Sequence, residues 1–276
     1  MGQDSTKPAS CSPRDGLAPQ RSMSRGEIHV YEIRLDRAGI ATSALNCLSD
    51  EEKARADRFY FDRDRRRFIA CRSSLRTLLA QYVGCRPMDI TLAYGRRGKP
   101  YLLGAALGFN VSHSEDLALI ALAREPDIGV DIEFNRPLND IEAMILATGS
   151  AEERRILAGV DAEDRLRLFY RMWARKEALV KVDGAGLEIA LTALTVLHAD
   201  GADPAEPVFV AGRGQMLVSD LPQVPGDFAA ALAVPCSPGM PVASVRFLPF
   251  GEAPAAGCDA ASSLRAEPRM LSPALK

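Results

Sequence analysis

Two short stretches carry the residue types best able to do chemistry. The run IGVDIEF holds Asp131 and Glu133, and the run WARKEALVK holds Trp173, Lys176, Glu177 and Lys181. In the first, Ile128, Val130, Ile132 and Phe134 alternate with Gly129, Asp131 and Glu133, a strand period that turns both acids to one face. In the second, Leu166, Phe169, Tyr170, Trp173 and Val180 recur at helical spacing, and Trp173, Glu177 and Lys181 share one side. Asp161 is placed to cap this helix, which should end near Gly184 or Gly186. Three carboxylates and a lysine suit a divalent cation with a phosphate beside it. The plainer readings are a solvated strand face and an i,i+4 ion pair worth a few tenths of a kcal/mol. A zinc site is disfavoured, since no Cys/His cluster exists.

Two upstream motifs add to these. In GRRGKPYL, glycine permits close backbone approach, Lys99 supplies a cation and Pro100 fixes the exit. In FNVSHSEDLALIALA, Asn110, Ser112, His113 and Ser114 gather small hydrogen-bonding groups where one strand turns into the next, a setting suited to an anion. Read alone, the first is a basic surface turn and the second a structural histidine.

The ordered set GKP, NVSHS, GVDIE and WARKEALVK with GAGL closely resembles the 4′-phosphopantetheinyl transferases of the surfactin-synthetase-activating type, from about Val30 to about Val234. The resemblance implies a holo-[acyl-carrier-protein] synthase-type transferase. Coenzyme A would bind with magnesium (or manganese) on its pyrophosphate, and a serine of an apo acyl or peptidyl carrier protein would attack the phosphate attached to pantetheine, releasing 3′,5′-ADP. Carried over by position, Asp131, Glu133 and Glu177 resemble the metal ligands. Lys181 resembles a pyrophosphate ligand. Ser112 and His113, beside Asn110, resemble the pair on the coenzyme A phosphates, and Arg97, Gly98, Lys99 and Pro100 the loop around adenine. Glu177 also matches the candidate acceptor of the serine proton, directly or through a water. Arg55 falls at a basic position that holds the 3′-phosphate in relatives, Glu52 stands where they carry the other such base, and Arg67 falls at a further position the family keeps basic. Chemically this is coherent, because phosphoryl transfer asks for in-line positioning and cations on charge-bearing oxygens, and magnesium favours carboxylates and phosphate oxygens. A metal-dependent phosphohydrolase or nuclease, or a non-catalytic coenzyme A-binding module, remain the alternatives.

The elements that must position these residues read as two related halves. Each has a strand, a long helix and further short strands: IHVYEIRL, RRRFIACRSSLRTLLAQYV, ITLAY and LALIALA, then IGVDIEF, LRLFYRMWARKEALVK, LTALTVL and FAAALAV. The expectation is an α/β (α+β) protein of two similar lobes related by pseudo-two-fold symmetry, each a long helix on a small sheet, with the site between them. The expected boundaries are a disordered tail over 1–26, lobes over 27–125 and 126–250, and a disordered tail over 251–276.

The 276 residues, 47% hydrophobic with formal charge -2, permit a sizeable core. No apolar run approaches ~20 residues, so no membrane span is expected, and no signal-peptide core stands at the start. Six scattered cysteines without CxxC spacing fit a reducing cytoplasm. Gly2 with Thr6 loosely fits a myristoylation pattern that chance explains as well, and Met23 is a candidate start. The arginines between Arg55 and Arg76, with Asp57, Asp62 and Asp64 as partners, read as a solvated helix face or a surface for acidic carrier proteins. A near-zero charge and few aromatics argue against nucleic acid. Two-lobed relatives act as monomers, so a monomer is expected.

Overall fold

Long runs of apolar residues in LALIALA and FAAALAV require a sheet covered on both faces, and the computed structural model of the chain shows how. It describes residues 18–36, 42–95, 98–125, 127–182, 190–198, 207–236, 244–250 and 261–263. The helices are α1 (Thr42–Asn46), α2 (Asp50–Ala56), α3 (Asp62–Val83), α4 (Ile141–Thr148), α5 (Ala151–Ala158) and α6 (Ala162–Lys181). The strands are β1 (Glu27–Arg34), β2 (Leu92–Tyr94), β3 (Pro100–Leu102), β4 (Gly108–Ser114), β5 (Leu117–Ala123), β6 (Gly129–Phe134), β7 (Val208–Val210), β8 (Gly214–Asp220), β9 (Phe228–Pro235), β10 (Ser244–Pro249) and β11 (Ala261–Ser263).

One sheet runs β11-β10-β1-β5-β4, a second β6-β9-β8-β7, and β2 and β3 form a hairpin. All seven residues of β5 are buried. Its Ala118, Ile120 and Leu122 pack with Leu75, Leu78 and Leu79 of α3. Its Leu117, Leu119 and Ala121 pack with Val130 and Ile132 of β6 and Leu232 of β9. The opposite face of β9, Ala231 and Ala233, packs with Phe169, Met172 and Leu179 of α6. The layers are therefore α3, first sheet, second sheet, α6. This is a mixed α/β architecture in which each long helix covers the outer face of its own sheet.

Both helices are delimited by local chemistry. Gly84 closes α3 at φ 77, the left-handed conformation glycine adopts without a Cβ penalty. Asp161 caps α6 by accepting from the Asp164 N–H at 3.0 Å. The helix ends at Lys181 with Val182 at its cap, earlier than the glycines at 184 and 186, which lie outside the described residues.

Gly129 explains why β6 and α6 touch. A Cβ there would stand 2.0 Å from the Ala178 carbonyl oxygen and 2.9 Å from the Val182 nitrogen. Strand backbone thus lies directly on helix backbone, which brings Asp131 and Glu177 to the same side. Gly129→Ala is expected to cost about 1–3 kcal/mol, read as a lower urea midpoint at unchanged slope. A midpoint equal to wild type would contradict the contact.

Four expectations are corrected. LTALTVL is not a strand: Leu191–Ala193 forms a 3-10 turn, and Leu194, Val196 and Leu197 fill the α6 core from an irregular segment. The Val196 N–H there is taken by Glu153 Oε1 at 2.7 Å instead of by a neighbouring strand. β10, assigned to the second lobe, pairs parallel with β1 in the first sheet, so the first lobe takes a strand from beyond residue 125. Residues 261–263, assigned to the tail, pair with β10. Residues 18–26, also assigned to a tail, dock on the first lobe. Arg21 donates to Gln81 Oε1 at 2.7 Å and to the Tyr31 hydroxyl at 3.2 Å, and Met23 is buried.

Candidate active site

The site begins at the seam between the sheets. One edge of β6 pairs with β9, and the other faces β4 without a main-chain ladder. Its inward N–H groups would be stranded but for side chains of β4. The Val130 N–H donates to Asn110 Oδ1 at 3.0 Å, the Ile132 N–H to Ser112 Oγ at 3.4 Å and the Phe134 N–H to Ser114 Oγ at 3.0 Å. Every second residue of one strand meets every second amide of the other, so period two on both strands fixes their register.

The same serines hold the acids. Ser112 Oγ donates to Asp131 Oδ1 at 2.8 Å and Ser114 Oγ to Glu133 Oε2 at 3.4 Å. From α6, Lys181 Nζ lies 2.5 Å from Asp131 Oδ1 and 3.0 Å from Ser112 Oγ. Trp173 Nε1 donates to Glu133 Oε1 at 3.1 Å, while its ring stacks on Phe169. Asp131 is 2% exposed, and Glu133 and Glu177 are half-buried.

Burial is the leading cause that pushes all three carboxyl groups above the usual carboxylate range. The charge of Asp131 adds to the shift at Glu133 and Glu177, and that of Glu133 adds further at Glu177. Lys181 opposes the shift at each. One lysine thus faces three acids that repel one another. Asp131 Oδ2 is buried with no hydrogen-bond partner. An unshared carboxyl oxygen, with two further carboxyl groups alongside and one lysine facing all three, fits an added cation. Among the described residues no three Asp, Glu, His or Cys side chains close into a finished cation cage; Glu133 is turned toward Trp173 and Ser114.

Two family models match the chain and divide it between them. One, described as 4′-phosphopantetheinyl transferase, N-terminal, matches residues 40–125, and the other, the 4′-phosphopantetheinyl transferase superfamily, residues 127–232. The chain is 38% identical over 185 residues to the 4′-phosphopantetheinyl transferase HetI of Nostoc sp., covering 63% of this chain and 78% of that protein. It is 30% identical over 193 residues to a 4′-phosphopantetheinyl transferase of Bacillus subtilis, covering 66% and 84%. It is 29% identical over 159 residues to Sfp of Bacillus subtilis, covering 57% and 70%. The chain belongs to the 4′-phosphopantetheinyl transferase superfamily. The junction between the two matches falls between β5 and β6, at the seam that builds the site.

The other residues singled out in this phosphopantetheinyl transferase sort by location. His113 lies across β4 from Ser112, on the side of Val111, which packs on the α3 core. Its ring is partly exposed, yet surrounding protein lowers its pKa, helped by the charges of Lys181 and Arg67. Arg67 is held by the β4–β5 turn, through Asp116 Oδ1 at 2.7 Å and Glu115 Oε2 at 3.2 Å. Arg55 is exposed and stacked on Phe68. Gly98, at φ 82, lies in the β2–β3 turn, Pro100 opens β3 opposite Tyr94, and Arg97 lies outside the described residues.

Two residues do something other than the motif suggested. Lys99 donates to the carbonyls of Ile128, at 2.9 Å, and Val182. It clamps the hairpin to the start of β6 and the C-terminus of α6, where a cation is favoured by the helix dipole. Lys99→Met is expected to cost about 1–3 kcal/mol in chemical denaturation. An unchanged midpoint would leave Lys99 free for a ligand and contradict the clamp. Glu52 is buried in the first lobe, where it accepts from the Ser49 N–H at 3.0 Å and pairs with Arg76 Nε at 2.5 Å and Arg72 Nε at 3.1 Å. Its companion bond, the Glu52 N–H to Ser49 Oγ at 3.3 Å, completes a capping box legible in the spacing S-x-x-E.

Sequence reasoning missed the structural use of Asn110 and Ser114, the Trp173–Glu133 bond and the buried Lys176–Glu153 pair. The second S-x-x-E box, Ser150 to Glu153, signalled α5 but not that its glutamate would meet Lys176.

Proposed function

We propose that the protein transfers the 4′-phosphopantetheine arm of coenzyme A to a serine of an apo acyl or peptidyl carrier protein, with magnesium, releasing 3′,5′-ADP. The observation that carries this reading is the Ser112–Asp131–Lys181 cluster, with the unshared Asp131 oxygen and Glu133 and Glu177 alongside, at the junction of two domains of this superfamily. The residues that would hold magnesium are Asp131, Glu133 and Glu177, and the ion would supply charge neutralisation on the pyrophosphate.

The chain's own groups have separate tasks. Glu177, with its proton affinity raised by burial and neighbouring charge, is suited to take the serine proton. The serine oxygen then bonds to the phosphorus attached to pantetheine. The bond from that phosphorus to the 3′,5′-ADP oxygen breaks, its electron pair leaving with ADP. Lys181, anchored on Ser112 and Asp131, presents its ammonium to the phosphate oxygens, where charge gathers during transfer. His113 and Arg55, both solvent-facing, line the approach of the cofactor phosphates. Arg67 fixes the turn that follows Ser114.

Both halves of the site come from one chain, which supports a monomer as the working unit. Cys47, Cys71 and Cys236 are free thiols, in keeping with the cytoplasm. No helix among the described residues is long and apolar enough to cross a membrane. Calorimetry of the full chain with coenzyme A tests the cofactor half. Binding strengthened by magnesium in wild type, with that gain lost in Asp131→Asn, supports it; equal affinity with and without magnesium in both contradicts it.

A further inference from the structure

The turn joining α2 to α3 leaves two adjacent aromatic rings in water. Tyr60 is 92% and Phe61 61% exposed, and the rings meet edge to face at 4.9 Å. Among the described residues no side chain covers them, and exposed paired aromatics of this size mark contact surfaces. Around them the charges sort into spent and unspent. Asp57, Asp62 and Asp64 are engaged by Arg65, Arg66 and Arg63. Among the arginines from Arg55 to Arg76, only Arg55 and Arg58 have no carboxylate within ion-pair distance among the described residues. Arg55 lies over Phe68, and Arg58 is exposed beside the aromatic pair. Aromatic anchors next to an unpaired arginine match the composition of binding hot spots.

The location matters equally. Arg67, six residues beyond Phe61 on α3 and thus about 9 Å along its axis, grips Asp116 and Glu115 of the β4–β5 turn. That turn follows Ser114, whose hydroxyl touches Glu133. The aromatic pair therefore stands at the N-terminal end of the helix whose Arg67 holds the turn next to the site.

We propose that Tyr60, Phe61 and Arg58 form the docking surface for the carrier protein, receiving an acidic helix whose apolar residue covers the two rings and whose carboxylate pairs with Arg58. This rests on the transferase reading above. The test is steady-state transfer to an apo acyl carrier protein and an apo peptidyl carrier domain, comparing wild type with Tyr60→Ser/Phe61→Ser and with Arg58→Glu. The expected result is a rise of about tenfold in KM for the carrier in each variant, with KM for coenzyme A, kcat and thermal midpoint unchanged. The Arg58→Glu effect should shrink at high salt. Unchanged carrier KM in both variants overturns the surface while leaving the transferase reading intact, as does a rise in the KM for coenzyme A instead. A wild-type protein that modifies neither carrier overturns the reading and the surface together.

Discussion

Glu177→Gln is expected to lower kcat/KM for carrier modification by roughly 10²–10⁴-fold, while the protein becomes more stable in metal-free buffer. Glutamine keeps the shape of the side chain but can neither accept a proton nor offer an anionic oxygen. The gain in stability follows from the direction of the pKa shift. Glu177 binds its proton more tightly in the folded state than in the unfolded one. Folding is therefore penalised once the group ionises. The penalty is absent below the unfolded carboxyl value and fully present above the raised folded value. Thermal melts with EDTA should show Glu177→Gln above wild type at pH 8 and level with it at pH 4. Magnesium should narrow the difference at pH 8, because it stabilises wild type. Activity within a few-fold of wild type, or a variant that melts lower at pH 8, would contradict these roles.

The second large effect lies one residue earlier. Lys176 and Glu153 are both fully buried with Nζ 2.5 Å from Oε2. Lys176 also donates to the carbonyls of Thr148 at 2.7 Å and Leu191 at 2.8 Å. Glu153 also accepts from the backbone of Ser150 at 2.8 Å and Val196 at 2.7 Å. The pair thus ties α6 to α5 and to the irregular segment before β7. Removing one partner leaves the other charge buried and uncompensated. Lys176→Met should therefore cost about 3–5 kcal/mol, read from urea melts. Glu153→Gln combined with Lys176→Met should cost less than the two single losses summed, since neither charge then remains. A loss below about 1 kcal/mol for Lys176→Met would mean the pair is not desolvated as placed.

What could be read in the sequence was whatever depended on local period. Alternation placed Asp131 and Glu133 on one side of β6, and four-residue spacing placed Trp173, Glu177 and Lys181 on one side of α6. Those two periods sufficed to assemble the acids and the lysine. Contacts between distant segments followed other rules. Lys99 looked like a phosphate ligand, but two backbone carbonyls some thirty and eighty residues further along the chain hold its ammonium. Asn110, Ser112 and Ser114 looked like an anion nest, but the open edge of β6 needed acceptors and β4 supplied them. The alternation in β4 was visible; the lack of a main-chain partner along one edge of β6 was not. LTALTVL has strand composition, but its Val196 amide meets Glu153 and its apolar groups fill the α6 core, a tertiary demand that overrides propensity. Likewise β10 closes the first sheet by pairing with the first strand, a long-range choice that no local signal announces.

The central claim, that this cluster of acids and lysine transfers the phosphopantetheine arm of coenzyme A to a carrier serine, is tested most directly by intact-mass spectrometry. Apo acyl and apo peptidyl carrier proteins are incubated with the full-length protein, coenzyme A and magnesium. The account predicts that a carrier gains the mass of one phosphopantetheine arm as an equal amount of 3′,5′-ADP appears, and that Glu177→Gln yields neither on the same timescale. No mass gain on any carrier, or a gain that proceeds equally well with Glu177→Gln, would contradict it.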